Sequence, residues 1–209
     1  MRAVLLFLLA LFVAPVWCAE DILTVLQRSQ QMQLEALTEG QVDDDDPEAQ
    51  VVRRSFERIV AAVDEAPGDV RLLVVRGPLL AVCLMGRVIA ANVSLAGLTE
   101  SERDFVLAHE LGHVMQRHWS QLGQLYQQYI PGEVVQAQTD AVASVLGREA
   151  SELSHRQEYE ADAFALQLIR RLGEPDDTPL LLFQHLPLVR ATATHPGTQQ
   201  RVVHLRTLQ

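Results

Sequence analysis

The stretch 105–118, FVLAHELGHVMQRH, constrains this chain more than any other part of the sequence. Three of its residues, His109, Glu110 and His113, form the pattern HExxH. On a helix, side chains four residues apart lie on the same face, so the two imidazoles converge without help from the rest of the fold. Neutral imidazole is a good ligand for Zn²⁺, and zinc in hydrolases usually has three protein ligands and one position open for water. Glu110 would then lie close enough to take a proton from that water.

The alternative for this stretch is a surface helix with solvated histidine and glutamate side chains. The neighbouring residues argue against it, because a helix that is apolar on nearly all sides is buried. The apolar neighbours are Phe105, Val106, Ala108, Leu111, Gly112, Val114 and Met115. Burying two histidines and a glutamate without partners is costly, so a bound zinc ion explains the pattern better. His118 follows His113 by five positions, and we expect it to point away from the metal face.

Length and charge limit the class of protein. The chain has 209 residues, of which 48% are hydrophobic, and this is enough for one domain with a substantial core. The net charge of −10 argues against a nucleic acid or an anionic membrane as the partner, because both bind basic surfaces.

Residues 1–18 have the outline of a secretory signal peptide. Arg2 precedes an apolar run over 3–14, which is short for a membrane span. Cleavage after Cys18 would release the mature chain; a lipid at Cys18 and a retained anchor are the alternatives. The sequence therefore predicts a periplasmic or secreted protein, with an anchored N-terminus or a peripheral membrane association left open. Cys83 would then be the remaining cysteine, which excludes an internal disulfide and favours a buried thiol.

The rest of the chain divides into two predicted segments. Residues 19–50 are predicted to form an N-terminal helical segment over 20–40 and a solvated acidic linker over 41–50. Residues 51–209 are predicted to form the zinc metalloprotease domain. Within it, the patterns predict helices over 51–66, 121–130 and 133–153, a zinc helix starting near Thr99 and Ser101, and strands over 71–76, 79–84 and 87–93. The fold class is α+β, mostly helical, with a small sheet packed on the HExxH helix.

The third zinc ligand has to come from outside the HExxH helix. Another histidine six residues after His113 is ruled out, because position 119 is tryptophan. Forty-five residues after His113 comes EYEADAFA, in which Glu158 and Asp162 lie one helical turn apart. A second helix crossing the first could place the Glu158 carboxylate on zinc, with Asp162 orienting a ligand imidazole through its free N–H.

Three motifs in this order resemble one known protein family. They are LAHELGHVMQRH, EYEADAFA and, near the end, THPGTQQRVVHL, and the resemblance covers the chain from about residue 70 onward. The family is that of the HtpX and CAAX prenyl endopeptidase-like zinc metalloproteases, and the soluble periplasmic, BepA-like branch is the most similar. The resemblance implies a zincin-like metalloprotease domain.

The same resemblance assigns roles to individual residues. It implies one zinc ion per chain, held by His109, His113 and Glu158. It implies that Glu110 is the general base and that His195 stabilises the oxyanion. It further implies that Asp162 and Arg201 support the ligands. The sequence departs from the family pattern in having His155 where an arginine is usual, and His-Pro-Gly in place of His-Pro-Pro.

The predicted function is that of a zinc-dependent endopeptidase that cuts unfolded or misfolded envelope proteins, as in protein quality control. An extended substrate is expected to pair with a sheet edge at the strand 87–93, and the helix 136–146 is expected to act as a lid. Two alternatives stay open. One is a zinc-stabilised binding or chaperone module that does not cut, and the other is a protease held latent by its own lid or by residues 19–50.

Overall fold

The fold combines seven α-helices and one short 3-10 helix (Val93–Gly97) with one small sheet in the part of the chain that the structure, a computed structural model, describes: residues 20–65 and 68–209. The predicted signal peptide lies outside these residues. The helices are α1 (Ile22–Thr38), α2 (Pro47–Ala61), α3 (Glu100–Met115), α4 (His118–Tyr129), α5 (Gln136–Arg171), α6 (Thr178–His185) and α7 (Thr198–Thr207). The strands are β1 (Arg71–Val75), β2 (Ala81–Leu84) and β3 (Val88–Asn92). The predicted α+β fold is confirmed. No helix among the described residues is long and apolar enough to cross a membrane.

The three strands form a sheet of order β1-β3-β2. Strand β3 is parallel to β1 and antiparallel to β2. The prediction that the strand 87–93 offers a free edge is therefore wrong, because β3 is paired on both sides. All five residues of β3 are buried, as expected of a central strand with both faces covered. Strand β2 pairs with β3 as a hairpin and forms one edge of the sheet. The turn between β2 and β3 contains Met85 and Gly86, both with positive φ.

Helix α1 covers one face of the sheet and is tied to the domain at both ends. At its start, Asp21 forms a β-bridge with Glu133. At its end, the N–H of Arg76 donates to the carbonyl of Gly40 at 2.8 Å. Between these ties, apolar side chains of α1 pack against β1, β2 and the turn after β2. They are Leu34 and Leu37 on the helix and Leu73, Val82, Leu84 and Met85 on the sheet side.

The segment 41–50 is more ordered than the solvated linker predicted from its acidic residues. Val42 is buried, and its N–H donates to the carbonyl of Val74 at 3.0 Å. Asp46 caps α2 by accepting hydrogen bonds from the N–H groups of Glu48 and Ala49. The helix consequently starts at Pro47, four residues before the predicted start, because a capping aspartate followed by proline favours a helix start.

Helix α3 carries the HExxH motif through the centre of the core. Its start is a capping box: Glu102 N–H donates to Thr99 Oγ1 at 3.3 Å, and Thr99 N–H donates to Glu102 Oε2 at 3.1 Å. Phe105, Leu107 and Leu111 are almost completely buried. The predicted burial of this helix is thus correct, and its start lies where the sequence signals place it.

Helix α5 runs without interruption over 36 residues. The prediction of a separate lid over 136–146 is therefore wrong, because these residues form the first turns of the helix that also carries Glu158. They contain no proline, and a single glycine such as Gly147 does not end a helix. This half of α5 packs on α4 and α1 through Leu146, Ile130 and Ile22, and residues 136–146 do not line the cleft described below.

Candidate metal centre

Three side chains from α3 and α5 bring their donor atoms to one point. His109 Nε2 and His113 Nε2 are 3.2 Å apart. Glu158 Oε2 is 3.5 Å from His109 Nε2, and Glu158 Oε1 is 3.3 Å from His113 Nε2. Donors that bind one zinc ion tetrahedrally at 2.0–2.1 Å are about 3.3 to 3.4 Å apart. The observed triangle therefore has the dimensions of one face of a zinc coordination tetrahedron.

The close approach of α3 and α5 makes this triangle possible. Gly112, within the HExxH motif, faces α5 at the point where the two helices cross. A Cβ atom at Gly112 would lie 3.2 Å from Ala161 Cα and 3.1 Å from Phe164 Cδ1. Since glycine lacks that atom, the backbone of α5 can come near enough for the short Glu158 side chain to reach both imidazoles.

The other ring nitrogen of His109 is held by a carboxylate. His109 Nδ1 lies 3.0 Å from Asp162 Oδ1, and Asp162 is fully buried. An Nδ1–H that donates to Asp162 leaves the Nε2 lone pair free for a metal. Arg201 pairs with Asp162 through Nε at 2.9 Å and through a second nitrogen, and its Nη1 lies 3.6 Å from Glu158 Oε2. The structure thus places Asp162 and Arg201 directly behind the triangle.

His118 contacts the second histidine of the motif, which the sequence reasoning missed. The prediction that it points away from the metal face assumed a continuous helix. Arg117, with φ 56°, interrupts the helix, so that α3 ends at Met115 and α4 begins at His118. The turn brings His118 Nδ1 to 2.9 Å from His113 Nδ1, and His118 Nε2 to 3.2 Å from Glu160 Oε2. His113 therefore has a histidine behind it where His109 has a carboxylate.

The ionisation of Glu158 and His109 favours a cation at the triangle. Burial favours the neutral form of Glu158, but the imidazoles of His109 and His113 outweigh it and hold the pKa of this carboxyl well below its usual range. Burial and the charge of Arg201 lower the pKa of His109, yet Asp162 and Glu158 raise it to about 10. Metal binding at these atoms therefore competes with protonation of His109.

One donor atom supports the fit of a metal more directly. Glu158 Oε2 is buried and makes no hydrogen bond among the described residues. A buried carboxylate oxygen without a partner is costly, and a metal ion at the triangle would satisfy it. Two imidazoles and one carboxylate are also a common ligand set of catalytic zinc, so the residues present fit this metal. The cluster of His109, His113 and Glu158 could hold it.

Glu110 lies in a cleft that opens beside the triangle. The cavity has a volume of about 360 Å³ and is lined by His109, Glu110, His113 and Glu158 together with one edge of the sheet. Glu110 belongs to α3 and is nearly buried. Cys83 also lines the cleft, and burial raises the pKa of its thiol far above the usual range, so it stays protonated as predicted for an inert cysteine.

His195 reaches the same cleft from the loop between α6 and α7. Its Nε2 lies 3.6 Å from Glu158 Oε1, and more than half of its side chain is exposed. Thr194 Oγ1 lies 2.8 Å from His195 Nδ1. The loop is fixed to α5 because His155 Nε2 donates to the carbonyl of Thr192 at 2.8 Å. The structure therefore brings all seven predicted site residues together. It adds His118, which was expected to point away from the metal face, and His155, which the sequence marked only as a departure from the family pattern.

Comparison with known proteins agrees with this geometry. A family model described as Peptidase family M48 matches residues 48–209, which include every residue of the triangle and its supports. A search of curated proteins finds no match. Since the matched region covers most of the chain, the protein belongs to peptidase family M48, and it is a metallopeptidase by family.

Proposed function

We propose that this protein is a zinc-dependent endopeptidase that cuts unfolded or misfolded proteins of the cell envelope. The observation that carries the proposal is the triangle of His109, His113 and Glu158 with Glu110 beside it in an open cleft. A purely structural zinc site usually has four protein ligands and no cleft, whereas three ligands leave a position for water.

The residues around the triangle suit peptide hydrolysis. A bound zinc ion would supply Lewis acidity to a water molecule and to the scissile carbonyl. Glu110 accepts the proton of the attacking water and passes it to the leaving amine. The hydroxyl of Thr194 can donate a hydrogen bond to His195 Nδ1, which favours the tautomer of His195 with its proton on Nε2. That N–H then donates to the oxygen of the tetrahedral intermediate.

The cleft favours extended backbone over a particular side chain. The outer edge of β2 lines it through Ala81, Val82 and Cys83, and an extended peptide can add to such an edge by main-chain hydrogen bonds. Apolar side chains form the neighbouring walls, among them Leu80, Phe105, Trp119, Leu122, Phe183 and Leu186. An unfolded segment offers both free backbone and exposed apolar side chains, so it fits the cleft better than a folded surface does.

The envelope location and the place within the family belong to the same proposal. Residues 1–18 have the composition of a signal peptide, which supports a periplasmic or secreted protein, cleaved, lipidated or anchored near Cys18. The three motifs and the location together support the HtpX and BepA-like branch and a role in protein quality control.

The test compares the wild type with Glu110→Gln on casein, an unfolded protein. Zinc content is measured in both, and we expect one zinc ion per chain in each. Hydrolysis by the wild type alone is the expected result, because the variant keeps the ligands and loses the proton acceptor. Equal hydrolysis by both proteins would refute the role of Glu110. No hydrolysis by either, with zinc bound in each, would favour a non-cleaving binding module or a latent protease.

A further inference from the structure

The outer edge of β2 has few backbone N–H and C=O groups that are free to pair with a peptide. In an antiparallel pair, successive residues point their N–H and C=O groups alternately toward and away from the partner strand. Leu80 points toward β3, because its carbonyl accepts from the N–H of Asn92 at 2.8 Å. Residues 82 and 84 follow the same direction, so Ala81, Cys83 and Met85 point outward. Among the described residues, no hydrogen bond reaches the backbone groups of Ala81 or Cys83.

Met85 is already engaged on that outer side. Its N–H donates to the side-chain oxygen Oε1 of Gln30, which lies on α1 and also lines the cleft. The Gln30 side chain thus takes the place that the carbonyl of a pairing peptide would take. Its helix precedes residue 48, where the match to the family model begins.

The position of Gln30 is fixed by its helix. Helix α1 is tied by the bridge of Asp21 to Glu133 and by the bridge of Gln41 to Val75, and its apolar residues pack on the sheet between these ties. Gln30 itself is half-buried. A substrate that displaces this side chain gives its own carbonyl to the N–H of Met85 but leaves the Gln30 amide oxygen without that donor, so the exchange brings no net hydrogen bond.

We propose that Gln30 limits the length of substrate that the cleft can bind, by closing the β2 edge at Met85. The inference rests on the proposed function, because it concerns how the same cleft takes a peptide. An extended peptide then pairs with Ala81 and Cys83 and ends its pairing there. Residues beyond this point receive no main-chain hydrogen bond from the sheet.

The experiment measures peptide binding without turnover. The zinc-loaded Glu110→Gln protein serves as the parent, and the probes are fluorescent peptides derived from casein, extended one residue at a time from either end. Three further substitutions are made in this parent. Gln30→Ala removes the acceptor, Gln30→Glu keeps an acceptor oxygen, and Gln33→Ala is the matched control, since Gln33 is an exposed glutamine on the same helix. Thermal unfolding confirms that each variant is folded.

In the parent, we expect affinity to rise with length and then to level off in one direction of extension. In Gln30→Ala, the rise should continue for one more residue and give about a two- to tenfold gain for the longer peptide, which is the range of one net hydrogen bond. The Gln30→Glu and Gln33→Ala variants should level off where the parent does.

Two results would overturn the inference: the same length profile in Gln30→Ala as in Gln33→Ala, or no binding of any peptide by the parent. The proposed function can fail separately. Binding that levels off as expected, together with a wild type that cuts no peptide, would refute the endopeptidase and leave the role of Gln30 standing. If the wild type cuts peptides and Gln30→Ala changes neither their hydrolysis nor their binding, the endopeptidase stands and the role of Gln30 is refuted.

Discussion

The substitution Gly112→Ala tests whether the helix crossing sets the metal geometry. Its Cβ would lie 3.1 Å from Phe164 Cδ1 and 3.2 Å from Ala161 Cα. Ordinary carbon contacts are at about 3.5 to 4.0 Å, so the helices must separate by roughly 0.3 to 0.8 Å. Zinc sites hold their ligand distances within about 0.2 Å, and Glu158 moves with Ala161 on the same helix. The separation therefore exceeds what the triangle tolerates.

Gly112→Ala has two effects of opposite sign on the free energy of unfolding. Overpacking at a well-packed contact costs about 1 to 3 kcal/mol. Replacing glycine by alanine in a helix recovers roughly 1 kcal/mol. We expect Gly112→Ala to lower the free energy of unfolding of the zinc-free protein by about 0 to 2 kcal/mol. If 1 to 2 kcal/mol of strain also opposes metal binding, the zinc dissociation constant rises by a factor of roughly 5 to 30.

The assay is competition with a zinc chelator, with urea unfolding of the zinc-free protein beside it. Gly147→Ala is the matched control, because Gly147 is an exposed glycine in α5 with nothing within 4 Å of the added Cβ. The control should gain about 0.5 to 1 kcal/mol in stability and keep its zinc affinity. If Gly112→Ala behaves as the control does, the crossing distance does not determine the metal site.

Three further predictions concern the supports of α3. Thr99→Ala should cost about 0.5 to 2 kcal/mol at pH 7. Burial raises the pKa of Glu102, but its hydrogen-bond partners, Thr99 first among them, lower it more, so the loss should shrink once the pH falls below about 4.3, the pKa of glutamate in the unfolded chain. Urea unfolding at several pH values checks this, with Thr99→Ser as the control. Arg58→Met should cost about 3 to 5 kcal/mol, since it leaves the fully buried Asp104 without its cation, and adding Asp104→Leu should recover most of that loss in the same assay. His118→Phe should weaken zinc binding about 10- to 100-fold in the chelator assay, and an unchanged affinity would show that its contact with the ligand imidazole is incidental.

Local sequence patterns were enough to predict most of the helices and strands and most of the site residues. The strands 71–76, 79–84 and 87–93 were predicted within two residues of β1, β2 and β3, because apolar runs between turn residues are a local signal. The capping box at Thr99 was readable for the same reason. The contact of the linker 41–50 with β1 was not readable, because a run of aspartates looks solvated whether or not Val42 beside it is buried.

The sequence by itself determined that His109 and His113 share a helix face and that Glu158 and Asp162 share another, because the helical repeat depends only on spacing along the chain. Only the tertiary structure decided which strand is the free edge, that the Gln30 side chain bonds the N–H of Met85 at that edge, and that His118 turns back to His113. Strand order and helix packing depend on contacts between residues far apart in the chain. The left-handed backbone at Arg117 is adopted against local preference, so no local pattern announces it.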